Sequence, residues 1–349
     1  MSVSLSSFVS QMLTNPVLLI TTLLVLGVIF VNGWTDAPNA IATCVSTRAI
    51  SPKKAIIMAA VFNFFGVLVM TSINTTVAMT IYNIADFGGD THDALVALCA
   101  AMVAIVVWAV AAWWFGIPTS ESHALIAGVS GAAVALQGGF SGINGSEWIK
   151  VVYGLVLSTF LGFFVGFVVV KLIEICFKAA NRRKTNSFFS AAQVTSGAAM
   201  AFMHGAQDGQ KFIGIFLLGL SLANGEQSND FSIPVWLMVL CSLVMGIGTS
   251  VGGYKIIKAV GMDMVNLEKY QGFAADSAAS ICLLLSSFTG IPVSTTHTKT
   301  TSIMGVGVSR GVSRVNWLVV KDMVLTWVLT FPGCGIIAYL TARVFILIF

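Results

Sequence analysis

Charge is what this chain most conspicuously lacks. Lys, Arg, Asp and Glu together make up 9% of its 349 residues, against about a quarter in ordinary soluble domains. A surface so poor in charge excludes a water-exposed globular domain. The six cysteines, Cys44, Cys99, Cys176, Cys241, Cys282 and Cys334, are scattered without the paired spacing of a disulfide framework or a metal knuckle. They read as small apolar fillers. No Lys or Arg precedes Arg48, so the basic start of a cleaved signal peptide is missing. Runs such as Val103–Ala112 and Val151–Val170 do not alternate polar with apolar, which excludes a transmembrane barrel. No basic stretch is interleaved with aromatics, and the net charge of +4 implies no nucleic-acid partner.

What fills the chain is apolar residue. They form 57% of it, and the mean hydropathy is +0.92. Runs of about 20 apolar residues recur, each long enough to cross ~30 Å of hydrocarbon as helix. The class is therefore an all-α integral membrane protein, multi-pass in the cell membrane with lipid around it; a homo-oligomer stays open. Turn signals divide it into about ten crossings, near 16–48, 54–73, 93–115, 119–137, 148–177, 188–222, 232–251, 270–289, 291–308 and 317–349. The first is expected to be broken at Asp36 and the sixth at Asp208. Segments 119–137 and 291–308 are short and rich in Gly, Ser and Thr, and suit re-entrant hairpins equally well.

Basic residues Arg48, Lys53 and Lys54, then Lys178, Arg182, Arg183 and Lys184, then Lys255 and Lys258, then Arg310 and Arg314 fall in alternate loops. Asp86, Asp90, Glu147, Glu226 and Asp230 fall in the loops between. By the positive-inside rule both termini lie outside. Two halves of about five segments each, an odd number, insert upside down relative to one another. The first repeat covers 1–177, a basic cytoplasmic linker 178–187, and the second, inverted repeat 188–349, all one transport unit.

The chain repeats a phrase. Gly116-Ile117-Pro118-Thr119-Ser120-Glu121-Ser122-His123 returns as Gly290-Ile291-Pro292-Val293-Ser294-Thr295-Thr296-His297. A looser pair stands upstream of each, Asn32-Gly33-Trp34-Thr35-Asp36 and His204-Gly205-Ala206-Gln207-Asp208. The offset is 174 residues between the serines (294 − 120) and 172 between the aspartates (208 − 36). Landmarks recurring in order mark a duplicated unit, and matched interruptions in apolar segments mark a transporter's binding site.

Each phrase carries its own chemistry. Pro ends one helix and suits the first turn of the next. Ser and Thr there cap free N–H groups, and the positive helix end favours an oxyanion. Two such starts from opposite halves would enclose a small tetrahedral anion; the plainer reading is a turn. Asp36 and Asp208 are intramembrane carboxylates, costly unless functional or paired. With Asn32, Thr35 and Asn39 beside one, and Gln207 and Gln210 beside the other, they form oxygen-rich clusters suited to a monovalent cation. Three residues beyond each Asp stand Asn39 and Lys211. Lys211 can replace a cation, offset the anion, pair with Asp208 or snorkel to the surface. His123, His204 and His297 fit no metal spacing and read as hydrogen-bonded residues on a polar helix face. Asp276 is a further intramembrane acid, a candidate proton or cation ligand, and Glu121 stands where the other copy has Thr295.

Asn-Gly-x-x-Asp-x-x-Asn, His-Gly-Ala-x-Asp and the doubled Gly-x-Pro-x-Ser-x-x-His resemble the inorganic phosphate transporter (PiT) family, over almost the whole chain. The resemblance implies a secondary transporter with inverted repeats that carries phosphate, coupled to sodium or protons, with no other cofactor. It implies phosphate contacts at Ser120, Ser122, Ser294, Thr295 and Thr296. It implies cation ligands at Asp36, Asn39 and Asp208, where sodium would sit, with Gln207 beside them. The chain departs from the family where Thr35 and Gln207 replace the usual Asn before each Asp. Lys211 replaces a later Asn, and Glu121 a hydroxyl, which bears on ion stoichiometry.

Two other classes compete. A membrane-embedded enzyme would use His204, Asp208 and His297, yet no nucleophile or metal spacing accompanies them. An anion channel would use the same helix starts and conduct without coupling. Within carriers, a sulfate or other oxyanion permease is the alternative, and a carboxylate accepting phosphate's proton would argue for phosphate.

Overall fold

Proline and capping residues set where the helices begin. A computed structural model describes residues 4–88, 90–225 and 233–349, and every regular element among them is helical. α1 (Leu5–Thr14) ends at Asn15, whose side chain accepts from the N–H groups of Val17 and Leu18, both at 3.1 Å. That caps α2 (Pro16–Thr35), which is followed at once by α3 (Pro38–Ser46). α4 (Pro52–Ile73) also opens on proline, and the short α5 (Thr76–Tyr82) follows. Proline at these starts costs nothing, because the first N–H groups of a helix have no intrahelical partner.

A hairpin of α6 (Thr91–Phe115) and α7 (Glu121–Gln137) leads to α8 (Gly145–Cys176) and then α9 (Arg182–Asn224). α10 (Val235–Val251) and α11 (Tyr254–Lys258) come next, then the hairpin of α12 (Lys269–Thr289) and α13 (Thr295–Val308), and finally α14 (Trp317–Ile348).

Among the described residues, six helical stretches are long and apolar enough to cross a membrane: Pro16–Ser46, Pro52–Ile73, Thr91–Phe115, Gly145–Cys176, Lys269–Thr289 and Trp317–Ile348. Val235–Val251 with Tyr254–Asp263, bent by 69°, makes a seventh if taken as one span. α7 and α13, with 17 and 14 residues, reach only about 26 and about 21 Å, short of the hydrocarbon core.

Three expectations change. The segment around Asp208 is not broken: α9 runs unbroken from Arg182 to Asn224, because Asp208 is satisfied by side chains and needs no unwound backbone. The linker 178–187 is only partly a linker, since α9 already begins at Arg182. Lys255 and Lys258 lie in the short helix α11 rather than a loop. Glu226, Asp230 and the start of the 232–251 segment lie outside the described residues.

α4 packs backbone to backbone on α9. A Cβ at Gly205 would lie 2.8 Å from Asn63 Cα, and one at Gly66 would lie 2.9 Å from the Phe202 carbonyl carbon. Large apolar side chains on α8 and α14, Phe160, Phe164, Leu325 and Val328 among them, are exposed, as a lipid-facing surface requires. Polar side chains are gathered inside, where α2, α3, α7, α9 and α13 converge.

Candidate functional site

The two Gly-Ile-Pro phrases fold alike. α6 ends on Gly116 at φ 69° and α12 on Gly290 at φ 71°, left-handed positions that favour glycine. Pro118 and Pro292 then prevent either helix from continuing. Ser120 and Ser294 cap α7 and α13, each hydroxyl oxygen accepting from the N–H three residues on, His123 at 3.3 Å and His297 at 3.2 Å. A capping oxygen keeps its own proton to donate. The N–H groups of the first turn stand ahead of the first intrahelical bond. Each start therefore presents donors and a positive dipole end to an anion.

These starts meet. The rings of His123 and His297 lie 4.5 Å apart, edge to face. Behind them, His123 stacks on Phe331 at 4.6 Å and His297 on Trp327 at 3.8 Å, both from α14. The histidines thus pack as aromatic walls, and neither nitrogen of His297 nor Nδ1 of His123 has a hydrogen-bond partner among the described residues.

Beside the meeting point lies Asp208, wholly buried. Its Oδ1 receives the Lys211 ammonium at 2.7 Å and the Ser122 hydroxyl at 3.2 Å. Its Oδ2 receives the Thr295 hydroxyl at 3.2 Å and the Asn32 amide at 3.4 Å. Lys211 also donates to Ser122 Oγ at 2.7 Å and to the Val293 carbonyl at 2.6 Å. One ammonium thus touches the first turn of α7 and the turn into α13. Among the readings open in sequence, pairing with Asp208 is the one observed; with no exposure at all, Lys211 does not snorkel.

Asp36 sits across from it, at the junction of α2 and α3. Its Oδ1 accepts from the Asn39 amide at 2.6 Å and from the Thr296 hydroxyl. His204 reaches Asp208 Oδ2 through Nε2 at 3.3 Å and Asn63 Oδ1 through Nδ1 at 2.9 Å. Asp36, His204 and Asp208 each bring one ligand-type atom within 4.8 Å of the others, a grouping the linear spacing of the histidines conceals. Oδ1 of Asn32 and of Asn39 is buried without a hydrogen bond among the described residues. Two carboxylates and two free amide oxygens fit a hard cation.

Other expected residues are placed differently. Glu121 turns to the Thr35 hydroxyl, which also donates to the Val31 carbonyl at 2.8 Å. Gln207 points away, its amide donating to Ser287 Oγ of α12 at 3.0 Å. Asp276 lies outside the central set and pairs with Lys299 of α13. Lys299 was not singled out in the sequence, although a lone lysine within the 291–308 segment is itself a signal for a buried acid nearby. Asn63 gave no such signal.

The profile of the phosphate transporter family matches residues 32–338. The chain belongs to that family. It is 40% identical to a probable low-affinity inorganic phosphate transporter of Bacillus subtilis (strain 168), over 93% of this chain and 97% of that one. It is 36% identical to another so named from Rhizobium meliloti (strain 1021), over 89% and 91% respectively. Its fold resembles a solved sodium-dependent phosphate transporter, with a TM-score of 0.88, 24% identity, and coverage of 96% of this chain and 100% of that one. At that identity the likeness is one of fold. In this member of the phosphate transporter family, the motif-bearing residues gather around the buried charges Asp36, Glu121, Asp208 and Lys211, with the Asp276–Lys299 pair to one side.

Proposed function

We propose that this protein imports inorganic phosphate across the cell membrane as a secondary transporter, by alternating access and with a cation, sodium or proton, as co-substrate. The observation that carries this reading is the meeting of two serine-capped helix starts beside the Asp208–Lys211 pair. Phosphate would lie between them. Ser120, Ser122, Ser294, Thr295 and Thr296 would donate, together with the first-turn N–H groups, while Lys211 offsets part of the anion's charge. Asp36, with Asn39, Asn32 and Asp208, would hold the coupling cation. His123 and His297 would wall the site, and Glu121 and Thr35 would close its side next to Asp36.

The reading includes two inverted repeats, 1–177 and 188–349, joined at 178–187, with both termini outside. Corresponding features support it. The caps Ser120 and Ser294 are 174 residues apart (294 − 120), and the caps of α8 and α14, Asn144 and Asn316, are 172 apart (316 − 144). Isolated antiparallel bridges, Ala85 with Ile143 and Val265 with Val315, precede those two helices. Starts that face each other are what opposite insertion of the two halves requires.

The test is uptake of labelled phosphate by proteoliposomes, under a sodium gradient, a pH gradient, both or neither, with excess sulfate as competitor. Accumulation driven by either gradient and resistant to sulfate is expected. Conductance without accumulation would overturn the carrier reading, and displacement by sulfate would reassign the substrate.

A further inference from the structure

A second ion pair lies one helical turn from the central site, and the reading above gives it no role. Lys299 and Asp276 are both wholly buried and bonded to each other. Asp276 Oδ1 also accepts from the Thr43 hydroxyl at 2.7 Å, and Oδ2 from the Gln193 amide at 2.8 Å and the Ser196 hydroxyl at 3.5 Å. Lys299 in turn donates to Thr43 Oγ1 at 3.1 Å. These residues come from α12, α13, α3 and α9. Leaving two charges in an apolar interior is costly even when they are paired, and well-packed apolar residues often serve stability as well or better. The pairing therefore calls for a role beyond holding the helices together.

The sequence positions supply one. On α13, Lys299 stands three residues beyond Thr296 and four beyond Thr295, so all three share a face. On α3, Thr43 stands four residues beyond Asn39. Two polar layers thus stack about 5.4 Å apart, one turn of helix. The upper layer joins Asp36 and Asn39 to Thr296; the lower joins Thr43 to Asp276 and Lys299. Through Gln193 and Ser196 the lower layer also grips α9, the helix that carries His204, Asp208 and Lys211. The matching hairpin has nothing similar: five residues beyond the capping serine, where α13 has Lys299, α7 has Leu125. The α13 clamp carries a buried ammonium that ties it to α12, α3 and, through Asp276, α9. The α7 clamp meets α9 through the Ser122 hydroxyl and α2 through Glu121, with no ion pair of its own among the described residues.

We propose that Asp276 and Lys299 are a positioning pair that couples the phosphate clamp on α13 to the cation-binding segments α3 and α9. Cation binding at Asp36 and Asp208 shifts α3 and α9. The pair transmits that shift to Ser294, Thr295 and Thr296, so that phosphate affinity depends on the cation. The inference rests on the phosphate-transport reading and adds to it the route of coupling.

The test compares phosphate affinity with and without saturating cation, sodium or acid as the wild type requires, by calorimetry on the purified full chain in nanodiscs. Wild type should bind phosphate about tenfold more tightly with the cation. Asp276→Asn with Lys299→Met removes both charges at similar size. It should still bind phosphate, with a cation effect close to onefold. Thr43→Val leaves the ion pair intact and cuts only the tie to α3; it should lower the cation effect several-fold, and it serves if the double variant does not fold. Undiminished cation dependence in either folded variant overturns the inference and leaves the transport reading standing. A wild type that binds phosphate regardless of cation overturns the inference and the coupled reading together.

Discussion

Lys211 is where the two copies of the aspartate motif diverge most, and its three contacts show what the divergence does. The ammonium donates to Asp208, Ser122 and the Val293 carbonyl; in the proposed reading it takes a place beside Asp208 that an Asn would leave to a mobile cation. A fixed positive charge of this kind favours the neighbouring carboxylate and lowers the number of ions the site needs from solution. Lys211→Met should abolish uptake, and added sodium should not restore it, because the variant offers no replacement oxygen. Lys211→Asn supplies a carbonyl oxygen and should transport only in sodium. Uptake rate against sodium concentration in the three proteins separates these outcomes; an unchanged ion dependence in Lys211→Asn would make the lysine a structural residue. Both variants should also lose stability, since breaking a buried pair costs about 3–5 kcal/mol, visible as a lower Tm in detergent.

At the scale of elements, the serine caps combine a folding role with a binding role, and the two can be separated. Ser294→Ala removes the cap, worth about 1 kcal/mol, whereas Ser294→Gly costs only a few tenths. Both remove the hydroxyl proposed to donate to phosphate, a charge-assisted bond worth about 1.5–3 kcal/mol. Both should therefore weaken phosphate binding by tenfold or more, while only the alanine variant loses appreciable thermal stability. Normal phosphate affinity in the glycine variant would remove Ser294 from the site. A second element-level prediction concerns Gly205. Its missing Cβ lets α9 approach the Asn63 backbone of α4, so Gly205→Ala should destabilise the protein by about 1–3 kcal/mol through overpacking, read as a fall in Tm.

This last glycine also shows why part of the structure was not legible beforehand. The doubled Gly-Ile-Pro-x-Ser phrase is local chemistry, and left-handed glycine, proline stop and serine cap appear where the sequence puts them. Gly205 and Gly209 beside Asp208 look like helix breakers, yet they serve close packing, which depends on what another helix brings. The same holds for Lys299, whose acid lies 23 residues away on the other arm of a hairpin. It holds for Gln207, whose amide was free to face either Asp208 or α12. Long-range partners decide these cases, and spacing along one chain does not encode them.

At the scale of the whole molecule, the buried charges of the described residues do not balance. Asp36, Glu121, Asp208 and Asp276 are carboxyl groups no more than 2% exposed, against Lys211 and Lys299 at 0%. Formally that is four negative charges against two positive. Bringing in a phosphate anion adds more negative charge to a region of low dielectric, where unpaired charge is expensive. A bound cation or proton offsets this, so anion and cation should each favour the other's binding, and by linkage the effect is reciprocal. Thermal stability in detergent reads this directly, because a ligand at 100 times its Kd stabilises the folded state by about 2.7 kcal/mol. Phosphate alone and cation alone, sodium or added acid, should each raise Tm slightly. Together they should raise it by clearly more than the sum. In Asp36→Asn one buried negative charge is gone, so phosphate alone should stabilise the variant more than it does the wild type, and the added benefit of the cation should shrink. Equal and additive shifts in both proteins would mean that the anion enters without a partner, and the charge imbalance would then have no part in coupling.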